Sequence, residues 1–215
     1  MMSAVIMAAG FSVSDVYADS DVSPIPKEVK CYYYPELKST TETANAVFLI
    51  FGDEYKLNLK KSKSSNPKVA VIRTDEYIGN YFAVVRRAGK TTLNVYAKNT
   101  EGGDYQKYKI RINAVKYTDP VNKFKVGRND YSSQYKKSGI GETTKRIKGK
   151  LSITPKKGWT LKKVYAENYD GKVKKLKNRK YVSLNDEWTL KAEFRNNRSG
   201  KIMEVSLVQL VGGAD

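Results

Sequence analysis

The side chains best placed to do chemistry in this chain of 215 residues are cationic. Lys60-Lys61, Arg86-Arg87, Lys136-Lys137, Lys156-Lys157, Lys162-Lys163 and Lys174-Lys175 are adjacent pairs. A pair in a turn can present two charges together. A pair on a strand cannot, because neighbouring side chains point to opposite faces of the sheet. On a strand, lysine also protects an edge from pairing with another sheet. Lys156, Lys157, Lys162, Lys163, Lys174 and Lys175 are the candidate contacts for an anionic polymer such as teichoic acid or a sulfated glycan. Lysine outnumbers arginine 31 to 9. As a point charge without a bidentate fork it reads bases poorly, so no specific nucleic-acid partner is expected.

Other reactive groups point away from catalysis. The chain has no histidine, which removes Ser-His-Asp and Cys-His nucleophiles and the commonest zinc ligand. Asp53-Glu54, Asp75-Glu76 and Asp186-Glu187 lie at strand ends and read as solvated turns. A general acid–base pair needs two carboxyls facing each other across a cleft, about 5–10 Å apart. No loop alternates Asp and Asn as a calcium loop does. Lys90-Thr91-Thr92 follows Gly89 but lacks the upstream glycine of a phosphate loop. No catalytic residue, metal or cofactor is expected, and the chain is not read as an enzyme.

The aromatic residues offer a second kind of contact. Tyr32-Tyr33-Tyr34 precedes Pro35. One reading is a strand with one inward ring and two half-covered ones; the other is an aromatic platform that stacks on sugar rings. Trp159 and Trp188 sit in strand-like alternation and are assigned to a core. Cys31 is the one cysteine, so no intrachain disulfide can form. It reads as a small buried residue of the first strand. A lipidated cysteine would directly follow an apolar segment, whereas Lys27-Glu28-Val29-Lys30 precedes this one.

These residues need elements to hold them, and the composition favours strands. Sixteen tyrosines accompany many Val, Thr and Ile, which suit pleated surfaces. The length allows one large domain or two of about 100 residues. A net charge of +18 favours polyanionic partners and solubility but does not bear on fold.

Met2 to Phe11 is small and apolar, and Val16-Tyr17-Ala18 places small residues at −3 and −1 of a cleavage point before Asp19. Residues 1–18 therefore read as a Sec-type signal peptide. No Lys or Arg occurs before Lys27, so the basic n-region is missing. The apolar run is too short to span a bilayer, and no other stretch approaches that length. An exported protein that avoids cysteine fits a Gram-positive bacterium.

Residues 19–26 are polar with Pro24 and Pro26 and read as a linker. A first module is expected over 27–116. Tyr55, Leu57 and Leu59 alternate with polar residues; Val69 to Ile72 is a short apolar run; Leu93, Val95 and Ala97 share a face, as do Ile110 and Ile112. Turn signals recur at Gly52-Asp53, Asn66-Pro67, Gly79-Asn80, Ala88-Gly89 and Gly102-Gly103, at the spacing a β-sandwich gives. Tyr117 to Asn122 is the joint. A second module is expected over 120–211, with Leu151 and Ile153 in one strand and a hairpin at Asp170-Gly171. Trp188, Leu190, Ala192 and Phe194 alternate in a later strand that turns at Asn196 to Gly200 into Met203, Val205 and Leu207. The stretch from Lys27 to Lys116 has 17 basic and 9 acidic residues, and that from Tyr117 to Asp215 has 23 and 10, so the basic excess is heavier in the second module.

Three stretches carry a resemblance: Gly52-Asp53-Glu54-Tyr55-Lys56-Leu57, Ser64-Ser65-Asn66-Pro67-Lys68-Val69-Ala70-Val71, and Arg87-Ala88-Gly89-Lys90-Thr91-Thr92-Leu93-Asn94-Val95. Over about 60 residues the first module resembles the bacterial immunoglobulin-like, group 2 family. The family often has a glycine just before the region of Phe82, where this chain has Gly79 a little early. Pro155 to Trp159 and Asn185 to Leu190 give the second module a weaker immunoglobulin-like likeness. The resemblance implies two tandem immunoglobulin-like β-sandwich domains in an all-β chain, secreted or on a cell surface. It implies adhesion to a cell-wall or host glycan or polyanion, or service as a passive spacer with no ligand. Fold alone does not choose between these.

Overall fold

The strand-forming residues form strands almost throughout. The computed structural model describes residues 27–37, 45–49, 55–74 and 81–210, and these are nearly all β. The expected signal peptide (1–18) and linker (19–26), Asp53-Glu54, Asp75-Glu76 and the expected Gly79-Asn80 turn lie outside the described residues. The chain divides into two compact units, one ending at Lys116 and the other beginning at Tyr117. Among the described residues no helix is long and apolar enough to cross a membrane.

The first unit contains β1 (Glu28–Tyr33), β2 (Ala46–Leu49), β3 (Tyr55–Leu57), β4 (Lys63–Ser64), β5 (Ala70–Thr74), β6 (Tyr81–Val85), β7 (Gly89–Asn99) and β8 (Gln106–Lys116). One sheet has the order β1-β8-β7-β3, with β4 also on β7; the other is β2-β6-β5. β1 runs parallel to β8, and the remaining pairings are antiparallel. Period 2 places Leu93, Val95 and Ala97 on the inner face of β7, each 0 % exposed, with Ile110 and Ile112 beside them on β8. They pack with Ala70, Ala83 and Val85 of the opposite sheet, which makes a sandwich. Fully burying each such Val, Leu or Ile contributes about 1.5–3 kcal/mol. Cys31 lies in this core, and desolvation pushes its thiol up to about 12.

One sequence expectation changes here. The Tyr55-Leu57-Leu59 alternation stops at Leu57, and Leu59 sits exposed in a turn. Asn58 ends the strand: its carbonyl accepts from the Ser62 N–H (2.9 Å) and its side chain from the Lys61 N–H (3.0 Å). Thr91 of the Lys-Thr-Thr stretch is buried and has a structural task. Its hydroxyl meets Ser64 Oγ (2.9 Å) and Ser65 Oγ (3.2 Å) and accepts from the Asn66 N–H (2.9 Å), clasping the Ser-Asn-Pro turn to β7.

The second unit contains β9 (Val121–Val126), β10 (Asn129–Asp130), a 3-10 helix (Ser132–Lys136), β11 (Ile140–Thr143), β12 (Lys148–Pro155), β13 (Trp159–Asn168), β14 (Val173–Leu176), β15 (Tyr181–Ser183), β16 (Trp188–Asn196) and β17 (Ile202–Gln209). Its sheets are β10-β9-β12-β15 and β11-β17-β16-β13-β14. An early strand again runs parallel to the last, β11 beside β17. Phe124, Leu151 and Ile153 of one sheet and Leu190, Ala192, Phe194, Met203, Val205 and Leu207 of the other are all at most 1 % exposed. Tyr135 of the 3-10 helix joins them, its ring 4.9 Å from that of Phe124. The Asp170-Gly171 hairpin forms between β13 and β14, with Gly171 at φ 75°.

Neither tryptophan belongs to the core, contrary to the sequence expectation. Both are half-buried. Trp159 opens β13 opposite Asn196 and Trp188 opens β16 opposite Asn168, so each ring lies where its sheet runs out. The smaller residues behind them fill the centre.

Candidate functional site

The strands of the second unit sort its charges by face. On the β11-β17-β16-β13-β14 sheet, Val164, Ala166, Leu190, Ala192 and Phe194 point inward. Period 2 therefore turns Tyr165, Glu167, Lys191 and Glu193 outward, together with Glu204 of β17 opposite Glu193. Lys191 is nonetheless buried, its side chain 8 % exposed. Its ammonium pairs with Glu167 and lies 3.7 Å from Glu204 Oε1. The Tyr165 hydroxyl donates to Glu204. Burial, then the Glu204 hydrogen bond and charge, push the Tyr165 phenol well above its ordinary value. Lys163 pairs with Glu193 (3.3 Å) at the border of the cluster. The arrangement consumes carboxylates internally and holds three neighbouring strands together. Among the described residues no three His, Cys, Asp or Glu side chains gather as a metal site would.

The six lysines singled out by sequence do not form one patch. Lys156, in the β12-β13 turn, is tied to Asp119 (2.5 Å). Lys157 is exposed in the same turn. Lys162 is the extra residue of a bulge where β13 shifts register between Leu161 and Lys163, and it is exposed, whereas Lys163 is engaged with Glu193. Lys174 and Lys175 lie on β14 opposite Ala166 and Tyr165, so they point to opposite faces of the sheet edge. Ion pairing removes two of the six, and strand geometry separates another two.

The three tyrosines do not make an exposed platform either. Tyr34 is 2 % exposed, and Tyr32 and Tyr33 are half-buried. The Tyr32 and Tyr34 rings lie 6.3 Å apart, tilted by 59°. Tyr34 is anchored by its backbone: its N–H donates to Asn45 Oδ1 (2.8 Å) and its carbonyl accepts from Asn45 Nδ2 (3.4 Å). The chain turns inward after β1, which buries the third ring.

Sequence reasoning passed over the lysines of the other sheet, Lys123, Lys148 and Lys150. They are exposed and make no ion pair among the described residues. The signal was present in Lys148-Gly149-Lys150-Leu151-Ser152-Ile153-Thr154, a period-2 stretch with every second residue polar. Nearby Asp130 is engaged: Ser132 donates to it through side chain and backbone, and with Lys125 at 3.1 Å this holds its carboxyl down at about 2.

No protein-family model matches the chain, and no curated protein matches it. Among solved structures it is similar to an endo-fucoidan hydrolase of glycoside hydrolase family 107 at 10 % identity and a TM-score of 0.28, covering 86 % of this chain and 28 % of that one. It is similar to the N-terminal four immunoglobulin domains of Dscam1 isoform 8.4 at 9 % identity and a TM-score of 0.24, covering 90 % and 45 %. For titin domains z1z2 in complex with telethonin the values are 11 %, 0.25, 89 % and 95 %. Immunoglobulin-like chains are thus among the structural neighbours, at a similarity too low to carry an argument. The all-β fold rests on the strand pairing itself.

Proposed function

We propose that this is a non-enzymatic binding module of the bacterial immunoglobulin-like, group 2 kind, exported to a Gram-positive cell surface or beyond, that attaches to an anionic polymer by charge. The observation that supports this reading is the imbalance of the second unit. It holds 23 basic and 10 acidic residues. Among its described residues the ion pairs occupy Lys125, Lys156, Lys163, Lys172 and Lys191, and the remaining lysines have no carboxylate partner. Unneutralised surface charge of one sign raises the local concentration of a polyanion and accelerates its capture. The absence of histidine supports a binding role over catalysis.

Retention on a heparin column tests this. The protein is expected to bind at low salt and to elute as salt screens the contacts over a Debye length of about 8–10 Å near 0.1–0.15 M. Failure to bind heparin, teichoic acid or any other polyanion at low salt would refute the reading in favour of a passive spacer.

A further inference from the structure

We infer that the binding surface is the outer face of the β10-β9-β12-β15 sheet, and that its ligand is a linear sulfated or phosphorylated polymer of sugar or sugar alcohol lying along β12. The inference rests on the proposed attachment to anionic polymers and names the face and the ligand class. Along β12 the inward residues Gly149, Leu151 and Ile153 are buried, which sends Lys148, Lys150, Ser152 and Thr154 outward. Alternate residues on a strand stand about 7 Å apart, so this row presents two ammonium groups and then two hydroxyls over about 20 Å.

The neighbouring strands extend the row on both sides. On β9, Lys123 stands opposite Thr154 and Lys125 opposite Ser152. The register shift at Thr154/Pro155 leaves Asn122 as an extra residue on β9, and its side-chain amide reaches Thr154 Oγ1 (3.4 Å). On β15, Tyr181 stands opposite Lys150 with 63 % of its surface exposed. A ring in that position can pack against the C–H face of a sugar while Lys150 meets an anionic substituent. Of the acidic residues, only Asp130 lies on the strands of this sheet, and it is already engaged with Ser132 and Lys125.

Backbone contacts fix β12 on both sides. Gly127 and Gly149 approach so closely that a Cβ on Gly149 would lie 2.6 Å from Gly127 Cα. That contact lets the β9-β10 turn sit tight against β12, with the Gly127 N–H donating to the Lys150 carbonyl (3.0 Å). On the other side Asn178 accepts from the Ile153 N–H (3.0 Å) and donates to the Ile153 carbonyl (2.7 Å). This holds the chain as it enters β15.

The geometry favours a sugar polymer over nucleic acid. The face offers one exposed ring, Tyr181, where single-strand binding uses successive rings for successive bases. Its cations are lysines, which meet sulfate or phosphate as point charges.

The test compares the whole chain with Lys148→Glu/Lys150→Glu, Tyr181→Ala and, as a charge-matched control, Lys60→Glu/Lys61→Glu in an exposed turn of the first unit. Binding to heparin, polyglycerol phosphate, inorganic polyphosphate and oligothymidylate is measured across a salt series, and far-UV circular dichroism melts, which report both units, verify folding. The β12 double variant is expected to bind heparin or polyglycerol phosphate at least tenfold more weakly. Its log–log salt slope should be shallower by about 2, since two counterion-releasing contacts are gone. The control should change affinity by less than about threefold. Tyr181→Ala should weaken the polymers that carry carbon chains or rings and leave ring-free polyphosphate unchanged. Preference for heparin or for polyglycerol phosphate separates a sulfated from a phosphorylated ligand. Equal losses in the β12 variant and the control would overturn the face and leave attachment by charge standing. Binding to oligothymidylate as tight as to either polymer, or indifference to Tyr181→Ala, would overturn the ligand class. No binding of the wild type to any polyanion would instead refute the proposed function.

Discussion

Replacing Tyr135 by Phe should stabilise the second unit. Tyr135 is 0 % exposed, and its hydroxyl has no hydrogen-bond partner among the described residues. The oxygen lies beside Gly141, at 3.0 Å from where a Cβ on that glycine would stand. Burial, with Tyr131 nearby, pushes its phenol well above the ordinary value. Its ring is well used against Phe124, and its carbonyl accepts from the Tyr117 hydroxyl (2.8 Å). Phenylalanine keeps both contacts. An unsatisfied buried hydroxyl costs about 1–3 kcal/mol. Removing it leaves a gap of about 10 Å³, smaller than a water site, which at about 24 cal/mol per Å³ costs about 0.2 kcal/mol. The net gain is about 1–3 kcal/mol, and each kcal/mol raises Tm by about 4–8 °C in a unit of this size. Both tryptophans of the chain, Trp159 and Trp188, lie in this unit, so their fluorescence during urea unfolding reports it alone. The midpoint should rise with an unchanged m-value. Tyr131→Phe is the contrast: its hydroxyl meets Thr143 Oγ1 (3.2 Å), so that variant should lose about 1 kcal/mol. A loss of 1 kcal/mol or more in Tyr135→Phe would refute the reasoning, because the hydroxyl would then have a partner.

Three further expectations follow from named groups. Lys191→Ala strips the cation from Glu167 and Glu204 and should cost on the order of 3 kcal/mol by the same fluorescence assay; adding Glu167→Gln and Glu204→Gln should recover much of the loss. Asp130 has its carboxyl held at about 2 against an ordinary 3.8, so its contribution is fully present above about pH 4 and fades as pH falls toward 2. Asp130→Asn should flatten the acid side of the stability profile over that window, and an unchanged profile would contradict this assignment. Cys31, its thiol held at about 12 in the core, should resist iodoacetamide at pH 8 in the folded protein and react in denaturant, as mass spectrometry would show.

Several elements are legible in the residue order. Leu93-Val95-Ala97 and Leu190-Ala192-Phe194 read correctly because an antiparallel strand with one buried face writes period 2 directly into sequence. Asp170-Gly171 reads correctly because a tight hairpin needs a positive φ that glycine supplies freely. Leu59 misleads because the turn made by Asn58 overrides two residues of pattern. Trp159 and Trp188 mislead because alternation tells which face a side chain takes but not how far along the strand the opposite sheet extends.

The candidate site is less legible. Paired lysines look like patches in a linear string, yet Lys156 is claimed by Asp119, 37 positions away, and Lys163 by Glu193, 30 positions away. Lys191 is buried on an outward face because Glu167 and Glu204 reach it from two other strands.

By itself, the order of residues determined the β class, the strand faces with their local turns and the total charge, since these depend on neighbours within a few positions. Which cations remain free, and that Lys123, Lys148, Lys150 and Tyr181 share one surface, was decided only by strand pairing. Cross-strand register brings residues tens of positions apart to about 5 Å, and no local pattern records which strands will meet.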